Sequence, residues 1–177
     1  MPSTPADAAA IRSLIDTWAR AIEARDLDGI TGRYTPETVL FDAIPPHRTI
    51  GAQAIRKAWA DCLPHFPERF TTDLRDVVVE VSGDVAWAHF LLHFTSTPAG
   101  HPCGQTWMRA TTAYRRERGR WVVAHEHVSI PFNPMTNQAW FIADPAVAEV
   151  PDYSQLPGCG GGQGDGQIGR ASCRERV

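Results

Sequence analysis

The chain has 177 residues, the length of one ordinary domain, and its 43% apolar and 21% charged side chains can bury a sizeable core. Seventeen basic against 20 acidic side chains leave a formal charge of −3, Lys57 is the sole lysine, and no basic run exceeds two residues; nucleic acid and anionic membrane are therefore not expected partners. No apolar stretch nears the roughly 18–20 residues of a membrane span, and Met1-Pro2-Ser3-Thr4-Pro5 lacks a basic stretch followed by an apolar one, so the expected location is the cytoplasm.

Thr4 as a cap, Pro5 at the first helical position and Asp7 at capping-box spacing signal the first helix. Ile11, Leu14, Ile15, Trp18 and Ile22 follow at steps of three and four, forming one apolar stripe. Asp26 is placed to cap a shorter helix running to Tyr34, which Thr35-Pro36 ends because a residue before proline avoids helical angles. Thr38 to Asp42 reads as a short strand, Pro45-Pro46 forces a loop, and Gly51 to Leu63 reads as a helix. Ile55, Trp59, Cys62 and Leu63 share one side of that helix, and Pro64 stops it.

The period then changes to two. Strands are predicted over 77–81, 85–94, 105–116 and 121–130, with turns at Ser82-Gly83-Asp84 and Arg118-Gly119 and a loop at Thr97-Pro98-Ala99-Gly100. Helices first and a meander of strands after them indicate an α+β fold, with N-terminal helices packed on a curved, mostly antiparallel sheet.

The cysteines (Cys62, Cys103, Cys159 and Cys173) form no CxxC and match no zinc spacing, so no disulfide framework is expected, and Cys62 reads as a small core hydrophobe. Residues 158–166 are glycine-rich and cannot bury anything. Residues 168–177 resemble a reading frame through a short-read sequencing adapter. The predicted organisation is thus a domain over 1–135, a C-terminal extension over 136–157 and a disordered tail over 158–177.

Histidine placement carries most of the chemical information. His89 and His93 fall in one predicted strand and His125 and His127 in another; even spacing puts each pair on one face. If Arg116 pairs with Trp121, Thr112 lies opposite His125 and Ala110 opposite His127, while Glu126 takes the other face, diagonal to Arg109. One face would then gather imidazoles, which titrate near neutral pH. On this register Trp107 and Arg109 face away from the histidines. A β-bulge between Arg109 and Thr112 would turn them inward, where Arg109 could clamp an anion or carbonyl.

The segment Trp18 to Ile30 resembles the first helix and the following turn of ketosteroid isomerases. Phe41-Asp42-Ala43-Ile44-Pro45-Pro46, Trp107-Met108-Arg109-Ala110-Thr111 and His125 to Phe132 resemble a SnoaL-like branch of the same NTF2-like superfamily. The resemblance covers residues 8–135 and implies a cone-shaped α+β barrel around a cavity. It places Asp42 where the isomerase has its proton-shuttling aspartate, and puts Trp18 and Thr112 where the isomerase has its two oxyanion donors. An indole donates from another position and a threonine hydroxyl is a weak acid, so neither repeats the original role. The same mapping puts His89, His93, His125 and His127 on the cavity face, with His89 where related scytalone dehydratases carry a catalytic histidine.

The implied mechanism has a partly desolvated Asp42 as base and His125 or His89 bonding the substrate oxygen, which suits proton transfer alpha to a carbonyl or loss of water beta to one. Trp18, His93, His127, Thr112, Trp107 and Arg109 are the candidate substrate contacts. An alternative reading has Asp42 simply capping the loop that follows it. The expected ligand is a small apolar or polycyclic carbonyl compound, and the rival reading is a non-catalytic domain that binds one. His125, His127, His89 and Asp42 would also suit a metal, but relatives of this kind usually work without one, so no metal or cofactor is expected. If the histidine face is inward, Ala86, Ala88, Phe90, Leu92 and Phe94 face out, joined by Val122, Ala124 and Val128, and a homodimer through that face is expected to cover them.

Overall fold

In the computed structural model, residues 5–147, 150, 152 and 154 are described. Thr4, part of the extension and the whole 158–177 tail lie outside the described residues. Helix α1 (Pro5–Glu23) buries Ile11, Ile15, Ala19, Ala21 and Ile22, and Leu14 and Trp18 pack beside them, so the apolar stripe is the packing face. Asp26 caps α2 (Leu27–Thr31) by accepting from the Asp28 amide at 3.1 Å. The second helix ends at Thr31 rather than reaching Tyr34, because Tyr34 already opens β1 (Tyr34–Phe41). Pro36 sits inside that strand, exposed, where its missing amide is harmless.

A short β2 (Thr49–Ile50) leads through Gly51, whose φ of 88° favours glycine, into α3 (Ala52–Cys62). A single 3₁₀ turn, Leu63–His65, follows. Arg25, itself left-handed at φ 56°, donates to the Leu63 and Pro67 carbonyls at 2.5 and 2.6 Å and so ties the end of α1 to the end of α3.

The long strands are β3 (Arg69–Ser82), β4 (Val85–Thr97), β5 (Met108–Glu117) and β6 (Arg120–Ser129). β3 begins eight residues before the sequence prediction. Its first half, Arg69 to Arg75, is mostly polar, and an irregularity between Arg75 and Val78, with Asp76 at φ 53°, interrupts the alternation that marks a strand. Two short strands, β7 (Phe132–Asn133) and β8 (Gln138–Ala139), pair beyond the main sheet.

The main sheet runs β2-β1-β6-β5-β4-β3. Neighbours are antiparallel except β1 and β6, which run parallel. The helices cover one face. Against them the sheet presents Ala86, Ala88, Phe90, Leu92 and Phe94 of β4, Ala110 and Tyr114 of β5, and Trp121, Val123 and Val128 of β6. This reverses the predicted facing of β4. Phe90, Leu92 and Phe94 do not stand in water but are 4%, 2% and 6% exposed in the core. The parity of a strand follows from which face the helices bury, and on β4 they bury the continuous apolar set.

Candidate functional site

One extra residue in β6 decides what the cavity contains. Arg116 pairs with Trp121 as predicted, and Tyr114 pairs with Val123, but Ala113 pairs with His125. Ala124 is therefore a bulge, and every later residue of β6 changes face. Thr112 lies opposite Glu126, and Ala110 opposite Val128. Glu126 is turned to the interior and is 5% exposed, while His125 and His127 are turned to the outer face.

Glu126 sits between two strands. On one side it pairs with Thr112 of β5 and on the other with Leu40 of β1, so three strands fix its backbone. The Tyr34 hydroxyl, from the start of β1, donates to Glu126 Oε2 at 2.6 Å. Together they line a cavity of about 420 Å³, walled by Leu14, Ile15 and Trp18 of α1, Ile30 of α2, and Phe90, Thr112, Tyr114 and Val123 of the sheet. The Trp18 indole N–H is buried in this region without a well-formed hydrogen bond. It lies close enough to the Tyr34 oxygen to favour that group's ionised form, but burial and the Glu126 charge outweigh it and hold the Tyr34 pKa far above the ordinary phenol value.

Burial also dominates Glu126. Removal from water pushes its pKa up to about 7; the Tyr34 hydrogen bond works against the rise and the negative charge of Asp42 adds to it. A carboxyl group with this pKa can both take and give a proton at neutral pH.

The sequence-predicted residues divide. Trp18 and Thr112 line the cavity. Asp42 follows the last residue of β1, and its Oδ1 accepts from the Ala43 amide at 2.7 Å, so it does cap its loop. Although solvent reaches Asp42, the protein around its carboxyl raises its pKa, against the pull of the Ala43 and Ile44 amides. Its charge is felt by both Glu126 and Cys62.

The remaining six lie elsewhere. His125 is half-buried, its Nδ1 donates to the Val39 carbonyl at 2.8 Å, and its ring meets Phe41 edge-on at 4.8 Å. His127 is exposed and also meets Phe41, at 5.9 Å. His89 is exposed and stacks on Trp87 at 5.3 Å. His93 stacks on Trp107 at 5.0 Å, and its ring nitrogens bond the Thr95 hydroxyl and the Gly104 carbonyl, both at 3.0 Å. The Arg75 guanidinium lies 4.7 Å from the Trp107 ring centre. Arg109 is exposed opposite Ser129 and makes no pair with Glu126. The metal set is thus divided between the faces, and among the described residues no three His, Cys, Asp or Glu side chains come together to hold an ion.

Sequence reasoning missed Glu126, Tyr34 and Tyr114. One signal was available: Glu126 is the only carboxylate within β6, and Ala124 and Val128, two residues to either side on its own face, are apolar, which marks that carboxylate as a candidate for burial.

Residues 11–133 match the SnoaL-like domain family. The chain belongs to the SnoaL-like family. Solved structures place this SnoaL-like protein in the NTF2-like superfamily. It is similar to an NTF2-like protein of unknown function from Pseudomonas putida at 35% identity and a TM-score of 0.75, covering 80% of this chain and 99% of that one. A candidate dehydratase of the NTF2-like family from Streptomyces avermitilis shares 22% identity at a TM-score of 0.62, over 71% and 97% of the two chains. A candidate ketosteroid isomerase from Parabacteroides distasonis shares 20% at 0.53, over 71% and 87%. These last two likenesses concern the fold alone. No curated protein matches the chain. No helix among the described residues is long and apolar enough to cross a membrane.

Proposed function

We propose that this SnoaL-like protein is an acid–base enzyme of isomerase or lyase type, acting on a small carbonyl compound held in the cavity lined by Glu126. The observation that carries the reading is a buried carboxyl group with its pKa pushed up to about 7, hydrogen-bonded on one oxygen and lining the same cavity as an indole N–H that lacks a well-formed hydrogen bond. Glu126 takes the proton from the carbon alpha to the carbonyl, and the C–H electrons move onto the carbonyl oxygen. Trp18 Nε1–H, buried in the cavity wall without a well-formed internal hydrogen bond, is the donor that meets the developing negative charge. The protonated Glu126 then returns its proton to another carbon, which is isomerisation, or to a departing beta-hydroxyl, which is dehydration. Asp42 keeps Glu126 basic through its charge.

The role first expected of Asp42 thus passes to Glu126, and no histidine takes part. Neutral aryl ketones, enones and β-hydroxy ketones incubated with the protein in D₂O should show exchange of alpha-protons or shifted double bonds by NMR. Glu126→Gln should lower the rate on the order of 10²-fold or more. The second reading, ligand binding without catalysis, draws on the Tyr34–Glu126 bond, which satisfies the buried carboxyl with no substrate present. Saturable ligand binding with no exchange above background would establish it in place of the first.

A further inference from the structure

The lining of the cavity includes four ionisable groups besides the tyrosine pair: Asp28, Arg33, Arg120 and Glu126. Its exposed members, among them Ser13, Asp28 and Arg120, mark where it opens to solvent. The charges there are not balanced. Asp28 is held by Arg56 at 2.7 Å, outside the lining. Arg33 and Arg120 have no ion pair and no side-chain hydrogen bond among the described residues. Arg12, Arg56, Arg75, Arg115 and Arg116 lie against carboxylates, and of the described arginines that do not, only Arg33 and Arg120 line this cavity. In a chain of net charge −3, two unanswered guanidinium groups beside one cavity are a local excess of positive charge. The backbone fixes this arrangement: the Arg33 carbonyl accepts from the Val123 amide at 2.8 Å, joining the start of β1 to β6, the strand that Arg120 opens.

We infer that the substrate carries a carboxylate as well as a carbonyl, with Arg33 and Arg120 binding the carboxylate at the opening while the carbonyl end reaches Trp18 and Glu126. Guanidinium groups suit this task because their planar donors match a carboxylate's two oxygens and stay charged at every working pH. They also attract an anionic substrate toward a site whose own acid, Glu126, would otherwise repel it. The inference rests on the reading of Glu126 as the proton carrier and names the substrate class for that site: a keto acid rather than a neutral ketone.

The test uses benzoylpropionate and its neutral amide, benzoylpropionamide, which share a ketone with alpha-protons and differ in charge. Binding to the full chain is read by tryptophan fluorescence, with Trp18 in the cavity wall as reporter. The carboxylate should bind on the order of tenfold tighter than the amide, and the preference should shrink as salt is raised. Arg33→Gln with Arg120→Gln should abolish the preference. Should the double variant fail to fold, the salt dependence and each single variant still decide the matter. Equal affinity for the two compounds, a preference untouched by the variants, or no binding of either would overturn the inference. NMR of the same samples in D₂O separates it from the proposed reaction. Exchange without a preference keeps the reaction and overturns the keto acid, whereas a preference without exchange keeps the anion site and overturns the reaction.

Discussion

Glu126 is ordinarily an acid of pKa 4.5, and in the fold it titrates near 7. The folded chain therefore holds a proton that the unfolded chain has already released between those values. The stabilisation is complete below pH 4.5, falls as pH rises toward 7, and is absent above it, a swing of about 3 kcal/mol from this residue. Glu126→Gln should flatten this slope and gain stability on the wild type above pH 7, as urea denaturation at a series of pH values would show. Tyr34→Phe acts in the opposite sense on the acid. It removes the hydrogen bond that favours the ionised carboxylate, so the Glu126 titration, followed by carbon NMR or by the acid limb of the rate profile, should move to higher pH.

Among the elements, the helices were legible because a stripe at steps of three and four needs only local sequence. Strand positions were legible from alternation, and the Arg116–Trp121 hairpin from its Arg118-Gly119 turn, where both residues have positive φ. Facing was not. Ala124 adds one residue to β6, and an alanine has nothing in its composition to mark a bulge. The facing of β4 against β5 depends on the long connection through His101-Pro102-Cys103-Gly104, which sets no register that sequence can read. Histidines attracted attention because of their chemistry, yet chemistry does not choose a face; the helices' apolar cover does. Trp18 and Thr112 line the cavity, on elements read without those two steps. The buried β4 face makes a distinct prediction: Leu92→Arg, at a position 2% exposed, should destabilise the fold by roughly 4 kcal/mol or more in urea rather than separate two intact subunits.

At the scale of the molecule, the reversal also moves the surface through which two copies would meet. We propose that the chain pairs by the outer sheet face, now represented by Trp87 at 45% exposure with Val78 and Val85 beside it. Sedimentation at micromolar concentration should give twice the chain mass and Trp87→Arg should give monomers; a monomeric wild type would count against pairing. The segment after the family match has a different importance. The Trp107 amide, just before β5, donates to the Ile142 carbonyl at 2.8 Å; the Ile142 amide returns to Thr106 Oγ1 at 2.9 Å, and the Trp140 amide reaches the Pro131 carbonyl at 2.6 Å. Trp107 is 8% exposed under this cover. Its N–H is consequently a clock for the undocking of the C-terminal segment. In deuterium exchange it should trade its proton at the rate that segment lifts away, faster than the β5–β6 ladder amides, and a chain ending at residue 135 should lose its protection while that ladder keeps its own.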